Sequence, residues 1–235
     1  MISTSFPPWY PGMLAALVSP GYLFYYLILL SGSIYGYTKF NRLSRAFKFL
    51  VILVSLITIS ETISRILAYT ITLTVPVYHF LIPLQIIGYT LIFKELFLSK
   101  NIQKAIIGIG FFVLITSISK SIVSGLGSFP SLNITVLSLQ LILSSLYLFY
   151  QIVQNPTERN IFNISQFWLA VGTLVFYAGT FTIFTLSEYI ILKGYQMPEW
   201  KEPLLTILNY ILYGSYFVSF YLESRNPQAE HEIHK

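Results

Sequence analysis

Leu50-Val51-Ile52-Leu53-Val54-Ser55-Leu56-Ile57-Thr58-Ile59-Ser60-Glu61-Thr62-Ile63-Ser64-Arg65-Ile66-Leu67 is a mostly apolar run whose polar members are small hydroxyl residues apart from one acid and one base, with no Gly or Pro. A helix that crosses a bilayer needs about 20 such residues, because each adds roughly 1.5 Å across a hydrocarbon core of ~30 Å. The run therefore reads as part of a spanning helix over about 47–73. Four basic residues precede it (Lys39, Arg42, Arg45 and Lys48), and Thr74-Val75-Pro76 follows it. Pro76 cannot continue a helix that arrives from its N-terminal side, so a second helix begins there.

Outward from this pair the same pattern repeats. Apolar segments fall at about 20–38, 77–98, 104–123, 133–153, 166–188 and 203–222, which makes seven in all. Reading 47–98 as one kinked element would leave six spans and place both ends on one side. The composition agrees with lipid as the solvent: 55% of the residues are hydrophobic and 10% charged, against about 25% charged in a soluble domain. The mean hydropathy is +0.69. The expected fold is all-α, a polytopic bundle of seven transmembrane helices. Residues 1–223 form one membrane domain, and 224–235 form a polar, disordered tail.

The net charge of +5 does not indicate nucleic acid, which needs basic residues gathered on a solvated face. Here they sit in the gaps between apolar runs. Lys39, Arg42, Arg45, Lys48, Lys94, Lys100, Lys104, Arg159, Arg225 and Lys235 fall on one side, and Lys120, Lys193 and Lys201 on the other. By the positive-inside rule the first side is cytoplasmic. With seven spans, the N-terminus is outside and the C-terminus inside, as in a multi-pass protein of a bacterial inner membrane. No Lys or Arg precedes Lys39, so the N-terminus does not open like a cleavable signal. The stretch Phe6-Pro7-Pro8-Trp9-Tyr10-Pro11 reads as a lipid-interface segment.

The residue inventory removes several chemistries. There is no Cys and no Asp, which excludes disulfides, thiolate sites and Asp-rich metal motifs. His231-Glu232-Ile233-His234 lacks the metalloprotease spacing. Gly125-Leu126-Gly127-Ser128 reads as a loop. No Lys lies between Leu204 and Leu222, so the last helix cannot hold a retinal Schiff base. Asn133-Ile134-Thr135 and Asn163-Ile164-Ser165 match the glycosylation pattern, which is common by chance. No metal and no cofactor is expected.

Charges inside a bilayer cost about 2.5–3.5 kcal/mol each at mid-helix. Glu61 and Arg65 share a face with Thr58 and Thr62, and the acid precedes the base by four residues, the favoured order for a helical ion pair. An internal pair is the common way such charges are tolerated. A dyad that faces a ligand, Arg65 holding an anionic group and Glu61 orienting it, is the functional alternative. Arg65, His79, Lys120 and Glu188 all fall in the outer half of the expected bundle. Tyr78, Gln85 and Tyr89 line a neighbouring stripe. Together Glu61, Arg65, His79, Gln85, Lys120 and Glu188 suggest a polar pocket open to the outside. Simpler roles compete: Lys120 and Glu188 can snorkel to the interface, and a His near a helix start commonly serves as a hydrogen-bonding residue. Gly172 and Gly179 share a face of the sixth helix and favour close packing inside the bundle.

Phe167-Trp168-Leu169-Ala170-Val171-Gly172, Tyr177-Ala178-Gly179 and Tyr78-His79-Phe80 resemble stretches of the seven-helix membrane sensor modules that accompany bacterial signalling proteins. That resemblance implies sensing, with output through a separate cytoplasmic partner. The leading expectation is a non-enzymatic sensor that binds a small molecule, lipid or proton from outside. A small transporter or lipid-handling protein is the alternative, followed by a membrane enzyme using Glu61 and His79 as acid and base.

Overall fold

A computed structural model describes residues 20–70, 74–155, 160–194 and 199–225. The N-terminal interface segment, the centre of the external connection at 195–198 and the tail beyond 225 lie outside the described residues. Those described form seven α-helices and no strand: α1 (Pro20–Thr38), α2 (Arg45–Thr70), α3 (Val75–Leu96), α4 (Lys100–Ser124), α5 (Ser131–Gln154), α6 (Ser165–Leu192) and α7 (Lys201–Arg225). Short 3-10 turns at Phe40–Arg42 and Ile161–Asn163 lead into α2 and α6.

Helices α2 to α7 are long and apolar enough to cross a membrane. The exception, α1, is 19 residues long and carries Tyr22, Tyr25, Tyr26, Tyr35 and Tyr37, whose hydroxyls lower its hydropathy. Helix α2 ends at Thr70 and α3 begins at Val75, as anticipated from Pro76, which occupies the first turn of α3, where the N–H it lacks would have no partner in any case. Gly125 closes α4 at φ +74°, a backbone conformation that glycine adopts without a Cβ clash.

Sequential neighbours pack side by side, and α7 returns against α1 to close the ring; α3 also touches α5. Small residues set several approaches. A Cβ on Gly36 would fall 2.6 Å from Val51, one on Gly88 2.9 Å from Leu53, and one on Gly172 2.6 Å from the Cβ of Ser215. The Gly172–Gly179 stripe therefore serves the α6–α7 contact within the chain, since Gly179 meets Leu208 of the same helix. Helix α4 is the outermost. It buries only Ile106, Gly110, Val113 and Ser117, one narrow stripe, and leaves Phe111, Phe112, Ile115 and Ile122 exposed. That apolar exterior suits hydrocarbon and not water.

The alternating helix directions bring Lys39, Arg42, Arg45, Lys48, Lys94, Lys100, Lys104 and Arg225 to one end of the bundle, called here the basic end. Three clasps tie it. Gln151 accepts from the Leu98 N–H and donates to the Leu96 carbonyl, both at 2.9 Å. The buried Glu223 accepts from Ser165 Oγ at 2.6 Å and from the Ser44 N–H at 3.4 Å. Glu95 pairs with Lys94 at 3.1 Å and Arg45 at 3.9 Å.

Gly172→Ala should lower stability by about 1–3 kcal/mol, because its methyl meets Ser215 and the Leu212 carbonyl of α7. Gly108→Ala, whose methyl meets nothing within 4 Å, should leave the thermal midpoint in detergent unchanged or higher. A comparable loss for both would show that the α6–α7 approach is not tight.

Candidate functional site

The first two helices meet along an antiparallel polar seam. On α1 the residues Tyr22, Tyr26 and Ser33 share the face turned to α2. On α2 the matching stripe is Thr58, Glu61, Thr62 and Arg65, the three-and-four spacing of one helical face. Tyr22 OH donates to Glu61 Oε2 at 2.6 Å. Tyr26 OH meets Thr62 Oγ1, and Ser33 Oγ meets Thr58 Oγ1 at 3.0 Å.

The direction of every rung can be assigned. Thr58 and Thr62 each give their hydroxyl hydrogen to the carbonyl one turn earlier, Val54 and Thr58, at 2.8 Å, a common arrangement for helical threonines. Their oxygens are left as acceptors. Ser33 and Tyr26 must therefore donate, as Tyr22 does to the carboxylate. All three hydrogen bonds run from α1 to α2.

Arg65 completes the arrangement. Its guanidinium carbon lies 4.0 Å from the ring centre of Tyr22 and 4.9 Å from that of Tyr26. Tyr22 thus presents its hydroxyl to the acid and its ring face to the base. The sequence suggested a direct Glu61–Arg65 pair; ion pairs within 4 Å among the described residues lie instead at Glu95, and the dyad is joined through an aromatic ring. A desolvated cation–π contact is worth about 2 kcal/mol, and a hydrogen bond to a charged group about 1.5–3 kcal/mol. Both are of the order of the cost of placing a charge in hydrocarbon, ~3 kcal/mol.

The remaining expected residues divide. The buried Tyr25 packs on Tyr22 beside the seam with ring centres 5.0 Å apart, and Tyr78 packs on Phe129 at 6.0 Å. His79, the next residue on α3, turns away toward α4. Its Nε2 lies 2.8 Å from the Ser128 carbonyl, which can only accept, so Nε2 carries the hydrogen. Nδ1 meets Ser121 Oγ at 2.8 Å, and Ser121 also receives the Asn133 amide at 3.3 Å. A chain of donors from Asn133 through Ser121 and His79 to Ser128 thereby pins the α4–α5 turn. Asn133 is 4% exposed and also donates to the Ser117 carbonyl, so its amide is not open to glycosylation. Gln85 is half-buried two turns along α3, and Lys120 is exposed on α4, apart from the seam. The side chain of Glu188 lies outside the described residues. Glu61 and Arg65 are thus brought together, while His79 and Lys120 belong to other surroundings. Around Glu61 the side chains are largely aromatic, and a cavity of about 650 Å3 lies at the basic end.

From the seam a column of tyrosines enters the core. Tyr22 packs on Tyr25 with ring centres 5.0 Å apart, Tyr25 on Tyr213 at 5.7 Å, and Tyr213 on Tyr216 at 6.2 Å. Tyr216 OH then meets Tyr89 OH at 2.8 Å and Thr173 Oγ1 at 3.0 Å, and Tyr89 packs edge-on against Tyr177. Helices α1, α7, α3 and α6 all contribute. Sequence reasoning missed Tyr22, Tyr25 and Tyr26; the signal available was their helical spacing on α1.

Tyr22→Phe should cost about 1–3 kcal/mol, because Glu61 loses a donor in a poorly hydrated setting. Tyr26→Phe should cost less, since Thr62 keeps its bond to the Thr58 carbonyl. Thermal unfolding in detergent gives the order, and a reversed order would mean that the Glu61 rung is not the stronger one.

No family model, no curated protein and no solved structure matches the chain. The seam and the column are therefore interpreted from their own chemistry.

Proposed function

We propose that this chain is a multi-pass membrane protein of a bacterial inner membrane, with its N-terminus outside and its C-terminus in the cytoplasm. It senses a small molecule, lipid or proton from the outer side and acts through a separate cytoplasmic partner. The orientation is supported by the gathering of basic residues at one end of the bundle. Sensing is supported by one observation above all: the Glu61–Tyr22–Arg65 arrangement lies toward the opposite end, and tyrosine contacts join it to α3, α6 and α7. A ligand that competes for Glu61 or Arg65 would alter the α1–α2 seam. The change would reach three further helices through side chains already in contact, provided that it favours one of two packings.

A second reading, transport, is favoured by a different feature. Polar side chains continue past Tyr216 toward the basic end, where Ser219 Oγ donates to the Ser165 carbonyl at 2.9 Å and Ser165 Oγ to Glu223 at 2.6 Å. A carboxylate therefore stands near each end of a tyrosine and serine path. Under this reading, proteoliposomes loaded with a pH-sensitive dye conduct protons, and Glu223→Gln abolishes the flux.

The chain has no Cys, so single introduced cysteines report without background. In intact cells a membrane-impermeant maleimide should label Lys120→Cys at once and Arg42→Cys only after permeabilisation. The opposite pattern would reverse the orientation. In the purified protein, Glu61→Gln should change the labelling rate of Lys100→Cys, at the far end of the bundle, severalfold. An unchanged rate accompanied by a lowered thermal midpoint would reduce the seam to a structural element and overturn the sensing proposal.

A further inference from the structure

The cavity at the basic end has a chemistry of its own. It measures about 650 Å3 and lies between the α1–α2 connection, the turn before α6 and the end of α7. Tyr35, Lys39, Arg42, Asn163, Tyr221 and Arg225 line it. Three of these are cations and none is an acid. The ion pairs among the described residues involve none of the three. Glu223, the acid next in sequence to this wall, is turned inward, its oxygens taken by Ser165 Oγ and the Ser44 N–H.

The walls are fixed. Ser224 Oγ gives its hydrogen to the Tyr221 carbonyl at 2.9 Å, so the contact between Tyr35 OH and Ser224 Oγ at 3.1 Å has Tyr35 as donor, and it clamps α1 to α7. Arg225 rests on the ring of its neighbour Tyr221, with 4.9 Å from guanidinium carbon to ring centre. The carbonyl ends of α1 and α7 add partial negative charge on this side, and three full cations exceed it. Basic residues spread along this end would satisfy membrane topology by themselves. A concave site that gathers two guanidiniums, an ammonium and an amide is a more specific arrangement. Guanidinium forks match the paired oxygens of a phosphate, and the site lies at the end of α7, a helix long and apolar enough to span, the depth at which lipid headgroups sit.

The geometry points to a phosphate-binding site in this cavity, one that takes either the headgroup of an anionic phospholipid or a soluble phosphate. The site does not depend on the proposed sensing role or on which side of the membrane it faces.

The test uses the full-length protein and two probes. Phosphatidylglycerol against phosphatidylcholine, followed by native mass spectrometry of protein released from mixed nanodiscs, examines the lipid source. Calorimetric titration with inorganic phosphate examines the soluble one. Arg42→Gln/Arg225→Gln should weaken binding by about tenfold or more, and Lys100→Gln/Lys104→Gln, with the same charge loss outside the cavity, should change it little. If the glutamine pair does not fold, Arg42→Lys/Arg225→Lys keeps the charge, removes the fork and should still weaken binding. Selective retention of phosphatidylglycerol assigns a headgroup site, and phosphate binding without lipid selectivity assigns a soluble ligand. Absence of both, or equal loss in the two pairs of variants, overturns the site.

Discussion

A carboxylate and a guanidinium placed within an apolar helix must find partners inside the protein, because hydrocarbon offers none. In this chain α1 supplies them. Tyr22 gives its hydroxyl to Glu61 and its ring face to Arg65, and Tyr26 and Ser33 extend the seam by donating to threonines of α2. Two features that look unrelated in the sequence, charges within α2 and a first helix less apolar than the others, thus belong to one interaction. The seam fixes the register of α1 against α2, and α1 in turn seats α7. Tyr210 OH donates to the Gly21 carbonyl at 2.6 Å near one end of that contact, and Tyr35 to Ser224 at 3.1 Å near the other.

The two ends of the bundle satisfy their polar groups by different means. Toward the Glu61 end, hydroxyls and aromatic faces predominate, and hydrogen bonds run helix to helix. At the basic end, long side chains close off connections: Gln151 holds the backbone at the end of α3, and Glu223 joins Ser44, just before α2, to Ser165, the first residue of α6. The first kind of packing places polarisable rings against one another, and the second secures loops. A signal or a proton entering from one side would therefore meet a tyrosine core before it reached the clasps.

Much of the architecture was legible because a hydrocarbon solvent leaves few choices. Long apolar runs could only be helices, Pro76 separated α2 from α3, and the spacing of Gly172 and Gly179 marked a close contact that proved to face α7. The site was only half legible. Glu61 and Arg65 stood out because charge is rare in such segments, and their four-residue spacing suggested a direct pair. The partner that comes between them belongs to another helix, and one helix's sequence does not show which neighbour it meets. His79 was expected as a ligand-facing residue, with hydrogen bonding as the simpler alternative, and its hydrogen-bond partners lie 42 and 49 positions away. Lys39, Arg42 and Arg225 entered the reading only as counted charge, since the concavity that gathers them forms when the ends of α1 and α7 meet.

Helix α4 is held along a single line, four buried residues on one side and apolar side chains facing outward elsewhere. Lipid can solvate the outward side of that helix, while its inward line fits α3 closely, since a Cβ on Gly110 would run into Thr90. The turn that His79, Ser121 and Asn133 fasten ties one end of that helix to α3 and α5. Were the bundle to breathe laterally, the gap would open beside α4, and acyl chains would be the first molecules to enter it.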